Sequence, residues 1–474
     1  MVMNRLPLPT LLPGVLAVVA AAALVLWIRS DGNPLVAARV PGLDRQPLVA
    51  PVPEEPTPAP EPGQARMFDG RPSALGGAWP GFRGPNRDGI APDEVRLARR
   101  FPPGGPPVLW VVRMLGPGHA GAAVAQGRVF VLDYDVAAEA DTLQCFSLDD
   151  GREIWRNSYP VVVEENHGRS RTVPAVFEDC VITLGPKCHV ASWDAASGRC
   201  RWIVDLVAKY RAKVPPWYAG QCPLVDQGRL ILAPAGEAFM VALEPRSGKV
   251  VWQTPRLANW EMTHVSVVPM DFAGRHMYVY CASGGVAGIS ADDGAVLWQT
   301  TAWVGKMATC PSPVPVGDGR IFFCSGYSAG SMMLQLLERQ GRLEPQVLWR
   351  LKPRQFESEQ HTPILYQGHL YGVRTAAGGE QLVCLDLQGK ELWNSGRQKF
   401  GRGPYLVADG LLLALSDRGE LILAEATPKA FRPLGRFQVL PDAVDAWAPM
   451  ALVGGRLILR DLTRMVCIDL AERR

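Results

Sequence analysis

The chain has 474 residues, 47% of them hydrophobic and 20% charged, which excludes a disordered chain and is ordinary for a protein with a core of its own. A formal net charge of +3 is too small to argue for nucleic acid or an anionic surface as a partner. With 48 glycines and 42 prolines, the composition favours turns over long helices.

A short tail, residues 1–10, precedes the first strong signal. Leu11 to Ile28 reads LLPGVLAVVAAAALVLWI without a charge, between Arg5 and Arg29. A run of this length just suffices to cross a bilayer as a helix, so residues 11–29 are expected to form a single transmembrane anchor. The alternative is a cleaved secretory signal. Against it, large Leu24, Leu26, Trp27 and Ile28 close the run where a small-residue site belongs, and the Val36-Ala37-Ala38 triplet lies well beyond it. The short tail favours a cytoplasmic N-terminus, with the rest of the chain on the periplasmic side. Residues 30–77 include VPEEPTPAPEPG, a composition that cannot build a core and is expected to be a disordered, Pro-rich linker. Residues 78–105, with WPGFRGPNRDG at 79–89, are expected to be a leader packed on the domain that follows.

From residue 106 to 474 the sequence repeats. Trp110, Trp155, Trp202, Trp252, Trp298, Trp349 and Trp393 follow one another at intervals of 45, 47, 50, 46, 51 and 44 residues, and Phe437 stands 44 further on. A fixed period in the forties is one supersecondary unit copied many times. The tryptophans close a recurring phrase: CFSLDDGREIW (145–155), VASWDAASGRCRW (190–202), VALEPRSGKVVW (241–252), GISADDGAVLW (288–298) and LVCLDLQGKELW (382–393). Gly151, Gly198, Gly248, Gly294 and Gly389 each stand four residues before a Trp. This is hairpin chemistry: a strand, an acidic or polar turn with Gly for positive φ, and a second strand whose Trp packs on the adjoining unit.

A second hairpin precedes each phrase, as in PLVDQGRLILA (223–233), PVPVGDGRIFF (313–323) and PMALVGGRLIL (449–459). Four strands in about 45 residues make a propeller blade. The first Trp strand, 106–112, has no unit before it, and the last unit, 448–470, has only three strands. Each deficit completes the other, so strand 106–112 is expected to close the ring. The expected fold is an all-β, eight-bladed β-propeller. Blade five carries an insertion, GRLEPQ (341–346), and blade seven has lost the phrase, with Phe437 expected in place of its Trp.

The phrase resembles the repeat of the pyrroloquinoline-quinone-like (PQQ-like) propellers, roughly A-x-D-x-x-x-G-x-x-x-W, over residues 106 to 470. The resemblance implies one of two jobs. One branch comprises calcium-dependent quinoprotein dehydrogenases; the other comprises non-enzymatic propellers, such as that of the outer-membrane protein assembly machinery, which bind partners through loops. Fold alone does not choose. The enzyme branch implies a disulfide between adjacent cysteines over the quinone, and no Cys-Cys pair occurs among the ten cysteines. No C-x-x-C-H haem motif, G-x-S-x-G, H-E-x-x-H or Walker A occurs either. The expectation is therefore no catalytic residue, metal or cofactor, with PQQ and calcium as the alternative. Cys145, Cys384 and Cys467 are expected to be buried thiols, and a bridge between Cys310 and Cys324, which flank a hairpin, is the minority reading.

The innermost strand of each blade starts beside the axis, so the residues ahead of it line a channel mouth. Two residues before the blade-opening Pro stand Gln221, Val267, His361, Arg402 and Trp447. Inter-blade loops add Trp217, Tyr218, Trp260, Glu261, His264, Trp303, Lys306, Glu357, Glu359 and Tyr405. Aromatics interleaved with charges suit recognition; the bland alternative is that they plug the channel. The candidate binding residues are Gln221, Trp260, His264, Trp303, Lys306, His361, Arg402 and Trp447. The loop EENHGRSR (164–171) stands out by its mixed charge, and a solvated loop is the ordinary reading of such a run. The function expected is a membrane-anchored scaffold that binds a protein or peptide at the cell envelope, with a sensor of small ligands or glycans as a further alternative.

Overall fold

The computed structural model describes residues 17, 19–22, 24, 25 and 59–474, except 93–94, 306–307, 376–379 and 473–474. The chain divides into two units, Met1–Glu55 and Pro56–Arg474. Of the first unit, Ala17, Val19–Ala22, Leu24 and Val25 are helical and exposed. The expected anchor, 11–29, otherwise lies outside the described residues, and among those described no helix is long and apolar enough to cross a membrane.

The second unit is a β-propeller of eight antiparallel sheets. Blade one is typical: an inner strand Ala123–Ala125, then Arg128–Asp135, Ala140–Ser147 and an outer strand Glu153–Pro160. The ring closes where Val108–Arg113 pairs with Arg464–Asp469 as the outer strand of blade eight, with Trp110 opposite Cys467. Closure of this kind gives the last blade its fourth strand and ties the two ends of the ring together.

The Trp phrase works through a bulge. In most blades the residue just before the Trp is the extra one: Cys145 pairs with Trp155 while Phe146 pairs with Glu153, and Ala242 with Trp252 while Leu243 pairs with Val250. A bulge re-aims the side chain that follows it, here towards the next blade. Indole N–H groups then donate across the seam, Trp110 to Leu148 O (3.1 Å), Trp155 to Ala195 O (3.2 Å), Trp252 to Ala291 O (3.0 Å) and Trp393 to Thr427 O (2.8 Å). Trp298 is different. It faces the irregular blade five, which has no phrase glycine, and its indole turns to Met277 Sδ in its own blade.

Blade seven also departs from expectation. Leu423 pairs with Gly435 and Ala424 with Pro433, so Leu434 is the bulge residue and Gly435 holds the Trp register. Phe437 is two residues late. Its ring lies over Gly435, where a Cβ would fall 2.6 Å from Phe437 Cζ, and meets Phe101 edge-on at 5.4 Å. A ring reached from two residues away replaces the missing indole.

The chain joins the propeller well before residue 77, the expected end of the linker. Gly63, Phe68 and Gly70 donate to Ser158, Ile154 and Glu153 carbonyls, and Arg66–Met67 pair with Arg156 and Trp155. Blade one thus has five strands. The outer edge of an antiparallel sheet offers unpaired backbone groups, and a proline-poor stretch such as QARMFDG takes them up despite its low hydrophobicity.

All ten cysteines, including Cys310 and Cys324, are free thiols, eight of them buried.

Candidate functional site

The leader closes one end of the channel. Trp79 bridges Val124 of blade one, Pro80 accepts from Val176 N of blade two, Arg87 pairs with Asp226 of blade three at 3.2 Å, and Ala91 donates to Val407 of blade seven. Arg83 stands half-buried in the middle and donates to the Thr362 and Pro363 carbonyls of blade six at 2.7 and 3.1 Å, and to Asp88 O at 2.7 Å. Residues 79–91 therefore lie across the inner strands of five blades.

Over this plug is a cavity of about 340 Å³ with Phe82 of the leader at its base. One residue from every blade lines it: His119, Arg171, Gly220, Ser266, Cys310, Gln360, Arg402 and Trp447. These positions are equivalent. Each stands eight residues before the second residue of the first hairpin turn, as Gly220 before Gly228 and Arg402 before Gly410; blade five needs nine because its inner strand is bulged at Pro315/Gly317. His167, Trp217, His264, Tyr327, Glu359 and His361 also line the wall.

Of the candidate residues, His264, His361, Arg402 and Trp447 come together at this cavity. Gln221, Trp260 and Trp303 stand away from it. Gln221 is fully buried, donating to Ala233 O and accepting from Ala233 N, which caps its own hairpin. Trp260 packs on Phe239, and Trp303 on Phe323. Lys306 lies outside the described residues. Counting from the blade-opening Pro put Arg402 and Trp447 in register but Gln221 and Val267 one residue off, because Pro404 and Pro449 stand one place further from their turns than Pro223 and Pro269 do. The second turn residue is the fixed mark, a glycine in every blade but the second, where Asp179 holds the place. Counting back from it would also have found His119 and Arg171.

The electrostatics of the wall are uneven. Arg402 and Glu359 form an ion pair, and the Arg402 guanidinium lies 5.7 Å from the Trp447 ring centre. Trp447 in turn stacks on His119, with centroids 5.0 Å apart and planes at 24°. Burial, helped by Arg171 and Arg460, pushes His119 down to about 3; burial and Arg171 push His264 to about 4; burial likewise pushes His361 to about 4. All three imidazoles are neutral at neutral pH. Arg171 stays charged, although burial lowers it to about 10. Its Nη2 donates to Asn166 O (2.7 Å) and Gly168 O (3.1 Å) within its own loop, where His167 and Gly168 both have positive φ. Trp217 and Tyr327 are also left-handed, at φ 60° and 58°. Such conformations cost free energy in non-glycine residues and gather at binding sites.

The donor set does not suit a calcium-bound quinone. Calcium takes six or more oxygen ligands, whereas the only carboxylate on the wall among the described residues is Glu359, already held by Arg402. Among the described residues no group of three His, Cys, Asp or Glu side chains is placed to hold a metal ion.

Comparison with known proteins agrees with the repeat. The family model described as outer membrane protein assembly factor BamB matches residues 139–388. The chain belongs to this family. It is thereby a PQQ-like repeat β-propeller. A comparison with curated proteins finds no match. Among solved structures, BamB from Moraxella catarrhalis is similar at a TM-score of 0.53 and 12% identity, over 77% of this chain and 100% of that one. The computationally designed Ika8 protein is similar at a TM-score of 0.51 and 10% identity, with the same 77% and 100% coverage. At such identities the likeness to these structures is one of fold. The quinohemoprotein alcohol dehydrogenase of Comamonas testosteroni aligns at a TM-score of 0.42 with 12% identity, over 84% of this chain and 81% of its own, too distant to bear on activity.

Proposed function

We propose that this BamB-family propeller is a protein-interaction module of the bacterial envelope, held to the membrane by its N-terminal helix with the propeller on the periplasmic side. The family description, an assembly factor for outer membrane proteins, supports an envelope partner. The observation that carries the mode of binding is the added strand on blade one. Residues 63–70 already take up the outer edge of that sheet through backbone hydrogen bonds. Edges of the same kind stand open elsewhere, with Val250, Val251 and Val296 exposed on the outer strands of blades three and four. An extended segment of a partner can pair with such an edge, the backbone giving affinity and the valines giving register. The anchor is supported by the uncharged run from Leu11 to Ile28, flanked by Arg5 and Arg29.

The test is photo-crosslinking from the full-length chain in its native envelope, with the reactive group at position 251 or 296. A discrete protein adduct is expected at these edges, lost when a neighbouring edge residue is changed to Pro, which removes a backbone donor. No discrete adduct from either edge, with the chain folded and exported, overturns the reading. Fractionation separates the anchor from a cleaved signal: the intact N-terminus should stay with the membrane.

A further inference from the structure

Arg171 is a cation without a carboxylate. Burial keeps His119 and His264 on the wall neutral, Glu359 is held by Arg402, and among the described residues no Asp or Glu lies within ion-pair distance of Arg171. It is held in place by two carbonyls, so its aim is fixed before any ligand arrives. Its Nε is buried and has no hydrogen-bond partner, and the same is true of His264 Nε2 and Trp447 Nε1. His264 is 8% exposed. Unpaired polar atoms in a buried wall carry a desolvation cost that a ligand removes. Flat ring surfaces stand beside these groups, Phe82 below, Trp217 on the wall and the stacked His119–Trp447 pair, while the charges of Arg402 and Glu359 on the same wall are spent on each other.

We propose that this blind cavity binds a small organic acid with a planar body, its carboxylate held by Arg171 and its ring lying among the aromatic residues. The charge count sets the class. One unpaired guanidinium among neutral imidazoles balances one negative charge, which favours a monocarboxylate over a phosphate or a dicarboxylate. The volume sets the size, since about 340 Å³ is at the small end of ligand pockets and holds one or two rings. The leader closes the base, so a ligand enters and leaves by the mouth beside Tyr327. The inference does not depend on the blade edges, and neither fails with the other.

The experiment is calorimetric titration of the full-length protein in detergent with benzoate, cinnamate and indole-3-acetate, each paired with its uncharged amide. Saturable binding of at least one acid is expected, with its amide at least tenfold weaker. Arg171→Gln should remove the preference for acid over amide. Arg171→Lys keeps the charge without the planar fork and should retain a reduced preference. The melting temperature of each variant reports folding, and the acid–amide comparison on the unaltered protein stands even if a variant fails to fold. Failure of all three acids to bind, equal binding of acid and amide, or an unchanged affinity in folded Arg171→Gln overturns the proposal.

Discussion

Trp155 of blade one packs so closely on Gly198 of blade two that a Cβ at the glycine would fall 2.5 Å from indole Cε3, while the indole N–H reaches Ala195 O at 3.2 Å. The glycine four residues before each phrase tryptophan meets not that Trp but the Trp of the preceding blade. The glycine turns the hairpin of one blade and, by having no side chain, accepts the indole of the blade before it. The same relation joins Trp110 to Gly151 across the closing seam and Trp252 to Gly294.

Gly198→Ala should therefore cost more than its backbone strain. Gly274 is the control, because its φ of 70° matches the 69° of Gly198 but a Cβ there meets nothing within 4 Å. Gly274→Ala is expected to cost about 1 kcal/mol from left-handed strain alone. Gly198→Ala should cost about 2–4 kcal/mol, with overpacking added to the strain. The midpoint of urea unfolding measures both, and equal midpoints would show that the indole yields freely.

The closing seam holds a buried ion pair as well. Arg460 of blade eight lies 3.0 Å from Asp133 of blade one, their side chains 3% and 0% exposed, and Asp133 also accepts from Leu115 N at 2.6 Å. Removing one partner leaves the other charge buried. Arg460→Met should cost about 3–5 kcal/mol, and the double change Arg460→Met with Asp133→Asn should recover part of it, because Asn still accepts the backbone donor without a charge. Thermal melts of the single and double variants decide this.

The leader should come away when its central cation, Arg83, is removed. Four carbonyl contacts hold Arg83: those of Arg87, Asp88, Thr362 and Pro363. Among the described residues no carboxylate forms an ion pair with it, and burial lowers its guanidinium to about 10. In Arg83→Leu, limited proteolysis between residues 79 and 91 should accelerate at least tenfold, while the blades, which the ring closure holds without the leader, stay resistant. Unchanged cleavage would place the strength of the plug in Trp79 instead.

The architecture was legible because the period, the Gly-to-Trp spacing and the unmatched ends each reported one backbone event: bulge, turn and closure. Phe437 misled because an aromatic at the expected interval need not share the register; the bulge at Leu434 gave that place to Gly435. The cavity was half legible. Arg402 and Trp447 were reached through their prolines, but Pro marks only where an inner strand begins, and its distance from the turn varies by one. Arg171 was hidden in a loop that read as solvated, since no sequence pattern shows that a charge lacks its counter-charge. The plug was read as a leader on the propeller, yet its position inside the channel depends on contacts with five blades at once.

Acid should destabilise the propeller through its buried imidazoles. Burial and Arg171 hold His264 at about 4 in the folded chain, against 6.5 for an ordinary histidine. Between those values the unfolded chain binds a proton that the folded chain does not, so stability falls as pH drops through that window and is unaffected above it. At pH 5 this one group accounts for about 2 kcal/mol. Asp141 acts oppositely: burial raises it to about 7, so it favours the folded state as pH falls from 7 towards 3.8. The wild-type curve mixes both signs, along with His119 and His361, whereas the difference from His264→Asn isolates one. Urea unfolding at pH 7.5 and pH 5 should show the variant losing about 2 kcal/mol less on acidification than the wild type. Equal losses would mean that His264 reaches water in the mouth of the cavity and takes up its proton there.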